Sequence, residues 1–466
     1  MLTVRISKLL LEITKKLPLL HMQSCTDKII QSLPKADIHV HLPGTITPQT
    51  AWELGVKHGF LKWGSSSWLD HRPLSSKNPH RNYSDIFLNF EDLRYKRLPD
   101  LNLLQYNISY RDFCSFDRVM ATVQGHRFPP GGIQTEEDLL FILQNYLQQC
   151  LNENIFYTEV QQNIRLAHII YPDLPPKIAR YRFYQLLFQA KQLFEKHGIT
   201  LHFLNCFNKT NFAGLNQTSN ERSLEAALWL KESQENFPEL FVGLQSAGTE
   251  SCPGACPSQL VSGYMLACDN GFGCEAHAGE GTGFHYLQTT INELPVQRVA
   301  HGFQAIENPQ TIEKIKNSQL TLVMSPIINL ILGAAIYQYK NNIKIGKTLI
   351  QKIDDHPFFY LFRNQGIKIA LSSDNPQMGG ISLQKSMMLL AGIKPADTLF
   401  LPFEAAQQAP LQLNELILLI INSITSAFTS EEIKIRFLTR IEKFIDKLIQ
   451  TSDQQMVDPS IRNTQG

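Results

Sequence analysis

The chain has 466 residues, 43% of them hydrophobic and 18% charged, with 43 basic against 42 acidic side chains and a formal charge of +1. That composition supports a large buried core and gives no broad electrostatic pull toward nucleic acid or a membrane surface. No run of roughly 18 apolar residues occurs, so no bilayer span is expected, and the eight scattered cysteines read as free thiols of a reducing, cytoplasmic setting.

In chain order, Leu9, Leu10, Ile13 and Leu17 fall at helical spacing, with Lys8, Glu12, Lys15 and Lys16 between them. The spacing predicts an amphipathic helix ending near Pro18 and packed on the domain, rather than a cleaved leader. The next element, Ile38-His39-Val40-His41-Leu42, reads as a short buried strand stopped by Pro43-Gly44. Alternation puts His39 and His41 on one side of it. There they can share a metal ion, or they are two polar residues on the open face of a sheet. A helix over 48–58 follows, and then residues 60–110, an irregular, polar, aromatic-spotted insertion or lid.

From residue 136 the pattern becomes regular. Helices near 136–152, 179–197 and 222–235 precede strands at 155–160, 200–204 and 240–245, and further strands are expected at 272–277, 298–301, 320–325 and 367–372. With the first strand this makes eight, mostly separated by helices. The fold class is α/β, a closed (β/α)8 TIM-type barrel, with an open doubly wound sheet as the rival. The chain then divides into an N-terminal helical segment (1–34), a catalytic barrel (35–400, including the insertion) and C-terminal helices packed on the barrel (401–466), ending in a polar tail.

Barrel enzymes carry their chemistry at the C-terminal ends of the strands. Four of the eight predicted ends are polar: His39 and His41 on the first, His277 in His277-Ala278-Gly279-Glu280 on the fifth, His301 on the sixth, and Asp374 on the eighth. Three imidazoles and one carboxylate, His39, His41, His277 and Asp374, suit a zinc ion that keeps room for a water. Such an ion lowers the pKa of bound water from about 15.7 to roughly 7. Glu280 is placed to exchange protons with substrate and product, and His301 to orient and deprotonate the water. The spacing of Cys252, Cys256, Cys268 and Cys274 matches no common structural zinc site.

The stretches Asp37–Gly44, Ala247-Gly248, His277–Glu280, Arg298–Gly302 and Ser372–Pro376 together resemble the adenosine deaminase family, zinc-dependent purine deaminases among the amidohydrolase-type metal hydrolases. Tyr157-Thr158-Glu159, Ser325-Pro326 with Asn329, and His356-Pro357 extend the resemblance, which runs from residue 35 to about 440. It implies one Zn2+ per subunit on His39, His41, His277 and Asp374. Glu280 would protonate purine N1, and His301 with Asp374 would position the activated water for attack on C6, ammonia leaving. It further implies that the Gly248 N–H meets purine N3, that Asn375 meets N7 where family members usually carry Asp, and that Phe113 and Phe116 form an apolar wall beside the substrate.

Some positions depart from the family pattern. Gln161 stands where many members have Arg, and Gln245 where many have Asp. Pro43 replaces the acidic residue that in adenosine-specific members accepts from the ribose 5′-hydroxyl, and a proline side chain supplies no acceptor. The resemblance implies hydrolytic deamination at C6 of a 6-aminopurine nucleoside, adenosine or deoxyadenosine, with a small purine as the expected partner. Alternatives are deamination of adenine, AMP or an N6-substituted purine, and a catalytically weak binding or signalling role. Hydrolysis of an amide or ester on the same barrel is a further enzyme class, but Gln245-Ser246-Ala247-Gly248 offers no lysine to bridge two metals.

Overall fold

The computed structural model describes residues 2–20, 25–58, 104, 106, 120, 123–124, 132–209, 217–252, 254–398, 401 and 403–457. Among them, ten strands form two sheets. In chain order these are β1 (Lys35–His41), β2 (Ile155–Gln162), β3 (Thr200–Asn208), β4 (Phe241–Ala247), β5 (Gly273–Ala278), β6 (Arg298–His301), β7 (Thr321–Met324), β8 (Ala335–Lys340), β9 (Ile343–Leu349) and β10 (Ile369–Leu371). β1 to β7 and β10 are parallel neighbours in that order, while β8 and β9 make a separate antiparallel hairpin.

The eight parallel strands curl into a barrel because the last one meets the first. Val40 forms a parallel bridge with Asp374 just past β10. The His41 N–H donates to the Asp374 carbonyl at 2.8 Å, and the Asp374 N–H donates to the His39 carbonyl at 3.0 Å. β1 is buried along its whole length, as a strand covered on both faces must be. The expected (β/α)8 barrel is the observed fold, and the open-sheet rival is set aside.

Helices on the outside start where the sequence supplies caps. Thr135 with Asp138 and Thr218 with Glu221 form reciprocal capping boxes at the starts of Glu136–Asn152 and Ser219–Asn236, each satisfying two otherwise orphaned N–H groups. Helix Pro176–Lys196 begins with a proline, whose missing N–H costs nothing at that position. Leu413–Ser426 packs under the closing seam, where Asn422 donates to the Ile369 carbonyl at 2.9 Å.

The N-terminal helix, Leu2–Lys16, lies against the C-terminal helix Glu431–Val457. Lys16 reaches Glu442 at 3.1 Å and Asp446 at 2.7 Å. No described helix is long and apolar enough to cross a membrane.

Phe428, between the two C-terminal helices, plugs the barrel from below. A Cβ on Gly273 would stand 2.2 Å from the Phe428 ring, so β5 tolerates nothing larger there. The guanidinium of Arg298 lies 3.7 Å over the same ring. Phe428 thus packs against the N-terminal ends of β5 and β6, opposite the end where the strands terminate.

Candidate active site

At that upper end the side chains of His39, His41, His277 and Asp374 converge, with one ligand atom from each lying within 4.8 Å of all the others. Nε2 of His41 is 3.3 Å from Nε2 of His277. Oδ1 of Asp374 is 3.4 Å from Nε2 of His41 and 3.5 Å from Nε2 of His39. All four residues are buried. The closing seam explains half of this: pairing β1 with the residue after β10 sets Asp374 beside the two histidines.

The electrostatics favour a cation at the centre. Burial opposes a charge on His39, yet Glu275 and Asp374 push its pKa up to about 10. Burial pushes His41 down to about 3 and His277 well below its usual value, the neighbouring imidazoles adding to the effect at His277. Burial would raise Asp374, but His39 and the other imidazoles hold it below the ordinary carboxylate range. The rings of His41 and His277 are therefore neutral and can turn lone pairs inward, a cation would displace the proton that the carboxylates hold on His39, and the buried Nε2 of His39 has no hydrogen-bond partner. An orphaned buried nitrogen is costly unless something occupies the centre. Three imidazoles and a carboxylate are a donor set a divalent metal takes, and these four residues could hold one.

Two more groups border it. Oε1 of Glu280 is 3.4 Å from Nε2 of His301, and both side chains are at most 7% exposed. Burial pushes His301 down to about 4, so its ring is neutral at pH 7 and able to take a proton. Asn329 touches the other ring nitrogen at 3.1 Å. His301 and Asp374 both hold positive φ, 66° and 58°, a conformation that side-chain-bearing residues adopt at a cost and that clusters at functional sites.

Beside the cluster lies a cavity of about 90 Å³, lined by Pro43, Asn208, Gly248 and Asn375 together with His41, His277, Asp374, Glu280 and His301. Gly248 has φ 98°, and a Cβ there would stand 2.3 Å from Oδ1 of Asn208. Only glycine turns the chain that way with Asn208 against it. Asn375 donates to Oδ1 of Asp374 at 2.7 Å, which leaves its own buried Oδ1 without a partner. Phe113 and Phe116 lie outside the described residues.

A scan against family models matches the adenosine deaminase family over residues 102–444. The chain belongs to this family. With that membership it is a metal-dependent aminohydrolase of the purine deaminase type. Curated relatives include the adenine deaminases of Psychrobacter cryohalolentis, 22% identical across 90% of this chain and 99% of that protein, and of Vibrio parahaemolyticus, 23% identical across 89% and 97%.

The barrel also matches solved structures. Against an adenine deaminase from Arthrobacter aurescens the TM-score is 0.61 at 19% identity, covering 89% of this chain and all of that one. Against an amidohydrolase from Burkholderia ambifaria with bound Zn it is 0.63 at 16% identity, covering 94% and 97%. At such identities the likeness is one of fold.

Some residues around the cluster escape a reading by motif. Glu275 lies two residues before His277 on β5, so alternation sends both side chains to the same side; its Oε1 is 2.5 Å from Nδ1 of His39. A carboxylate inside an apolar strand was the available signal. Glu250, nine residues after Phe241 at the start of β4, accepts from the backbone of the Glu280 loop, and only the folded loop reveals it. Gln161 donates to Glu275 at 3.0 Å, and the Gln245 amide meets Nδ1 of His277. The two departures from the family pattern thus lie directly behind the cluster.

Proposed function

We propose that this chain deaminates adenine hydrolytically at C6, giving hypoxanthine and ammonia, with zinc as its metal. The observation that carries the reaction is the buried cluster of His39, His41, His277 and Asp374 with Glu280 and His301 beside it. Adenine is favoured over a nucleoside because several curated relatives spanned nearly end to end are adenine deaminases. Pro43 on the cavity wall, which offers no acceptor for a ribose hydroxyl, points the same way. The free base therefore takes precedence over adenosine or deoxyadenosine.

His39, His41, His277 and Asp374 would hold the ion, which when bound supplies Lewis acidity and makes water a competent nucleophile near neutral pH. Glu280 is assigned to donate a proton at purine N1, which draws electrons from C6 and opens it to attack. His301, neutral and facing Glu280, is assigned to accept the proton of the attacking water. Gly248 is assigned to orient the ring through its N–H at N3, and Asn375 to meet N7. Burial of this set keeps bulk water from competing for those hydrogen bonds.

A panel of adenine, adenosine, deoxyadenosine, AMP and N6-substituted purines, followed by ammonia release and ultraviolet absorbance, tests the reading on zinc-loaded protein. The highest kcat/KM is expected with adenine. A higher value for adenosine would return the nucleoside to first place, and no turnover of any would overturn deamination.

A further inference from the structure

We infer that Glu275 is a positioning residue for the metal centre: backed by Arg298 and Glu159, it fixes the ring of His39 and supplies a compensating negative charge. The inference rests on the four-residue cluster being a metal site and is independent of which purine is the substrate.

The geometry starts from register. Glu275 and Arg298 are paired neighbours on β5 and β6, so their side chains emerge together into the barrel. Oε2 of Glu275 is 2.7 Å from Nε of Arg298, and a terminal nitrogen of Arg298 is 2.7 Å from Oε2 of Glu159 on β2. Oε1 of Glu159 accepts from the Tyr157 hydroxyl and from the Phe428 N–H, each at 2.7 Å. These three charged side chains are at most 1% exposed, and Phe428 stacks beneath the guanidinium. Oε1 of Glu275, the one oxygen not facing Arg298, points up at Nδ1 of His39, 2.5 Å away.

A neutral imidazole carries one N–H. To present Nε2 to a metal, His39 must keep its proton on Nδ1, and an acceptor there locks both tautomer and ring angle. Two groups face Nδ1, Glu275 and the Gln161 amide. The amide nitrogen of Gln161 already donates to Oε1 of Glu275 at 3.0 Å, which orients the amide and leaves the carboxylate as the acceptor.

Charge gives the second argument. Two carboxylates around one guanidinium leave the buried triad with one net negative charge. Asp374 adds another among the ligands. Together they match a dication surrounded by neutral imidazoles. A buried ion triad seldom stabilises a fold more than apolar packing of the same shape, so its place directly behind a ligand is accounted for by the metal.

The test compares the full-length chain with Glu275→Gln, which keeps the size and removes the charge. Zinc affinity, read by competition with a chromophoric chelator, is expected to fall by about 10- to 100-fold, with far-ultraviolet circular dichroism unchanged. The visible spectrum of the Co2+-loaded variant is expected to shift as the His39 ring turns. A merely structural role would lower the melting temperature of the metal-free chain and leave both metal readouts where they were.

If Glu275→Gln does not fold, the triple variant Glu275→Gln with Arg298→Met and Glu159→Gln takes the whole buried triad to neutral without stranding a charge, and the same affinity loss is expected. Zinc bound as tightly by whichever variant folds as by the wild type overturns the inference. A wild-type chain that binds no zinc overturns the metal reading beneath it instead.

Discussion

Glu250 holds the backbone of Glu280. Its Oε1 accepts the Glu280 N–H at 3.2 Å, and its Oε2 accepts the N–H groups of Gly281 and Thr282 at 3.1 and 3.0 Å and the Thr282 hydroxyl at 2.6 Å. The Tyr337 hydroxyl, from the β8–β9 hairpin, ties the Gly281 carbonyl at 2.8 Å. One buried carboxylate thus sets where the proton-transferring side chain begins. Glu250→Ala frees three N–H groups and lets that loop relax. Because a misplacement of about 1 Å can cost a factor of about 100, kcat is expected to fall by up to that factor. Zinc content, measured by atomic emission, should equal the wild type, since no ligand is touched. A variant with wild-type kcat would show that Glu280 is held by other means.

Glu280 itself is tested more directly. Glu280→Gln preserves shape and removes the exchangeable proton. General acid–base groups contribute typically 10²- to 10⁴-fold, so kcat should drop by about that much while zinc binding stays intact, Glu280 being outside the four-ligand cluster. Steady-state kinetics on adenine with zinc-loaded variant checks it. Retained turnover would move proton transfer to His301.

Acid stability depends on a histidine away from the cluster. His356 is buried, its Nδ1 accepts the Phe358 N–H at 3.1 Å, and burial pushes its pKa from 6.5 down to about 3. Above pH 6.5 the ring is neutral folded and unfolded, so it makes stability no steeper in pH. Between 6.5 and about 3 the unfolded chain takes up a proton that the folded one refuses, and stability falls as pH falls, by up to about 1.4 kcal/mol per unit. His356→Asn removes that proton. Urea midpoints of metal-free wild type and variant, measured from pH 7 to 4, should converge toward low pH. Parallel curves would show that His356 is protonated in the fold.

How much of this could be seen in the sequence follows from which interactions are local. The barrel strands were legible because parallel strands buried on both faces read as short apolar runs, and their polar C-terminal ends stand out: His39, His41, His277, His301 and Asp374 all announce themselves that way. The β8–β9 hairpin is hidden from that pattern because it interrupts the strand–helix alternation between β7 and β10. Its turn, Asn341-Asn342 with φ 52° and 61°, is nonetheless a two-residue signal for left-handed backbone. Glu275 carries no motif of its own, because its meaning lies in the neighbouring strand, where register delivers Arg298. Glu250 gives no sequence signal, because its partners are backbone N–H groups of a loop. Motifs show ligands; what holds them is a property of the assembled sheet.

The closing seam makes metal binding and stability one question. His39 and His41 exchange backbone hydrogen bonds with Asp374, and an ion on their side chains would tie β1, β5 and the end of β10 a second time. Zinc at 100 times its Kd should therefore stabilise the chain by about 2.7 kcal/mol, read as a rise in melting temperature that a chelator reverses. Asp374→Gly separates the two roles. It deletes a ligand, but it also relieves a φ of 58° that costs a side-chain-bearing residue roughly 1 kcal/mol, and it removes a buried carboxylate. The metal-free variant should melt below the metal-free wild type, because the imidazoles that hold the Asp374 carboxylate ionised lose their partner, and zinc should no longer raise its melting temperature. A metal-free variant that melts at or above the wild type would mean that relief of the left-handed turn outweighs the contacts of the carboxylate with Asn375 and the imidazoles, and that Asp374 is held there for the metal alone.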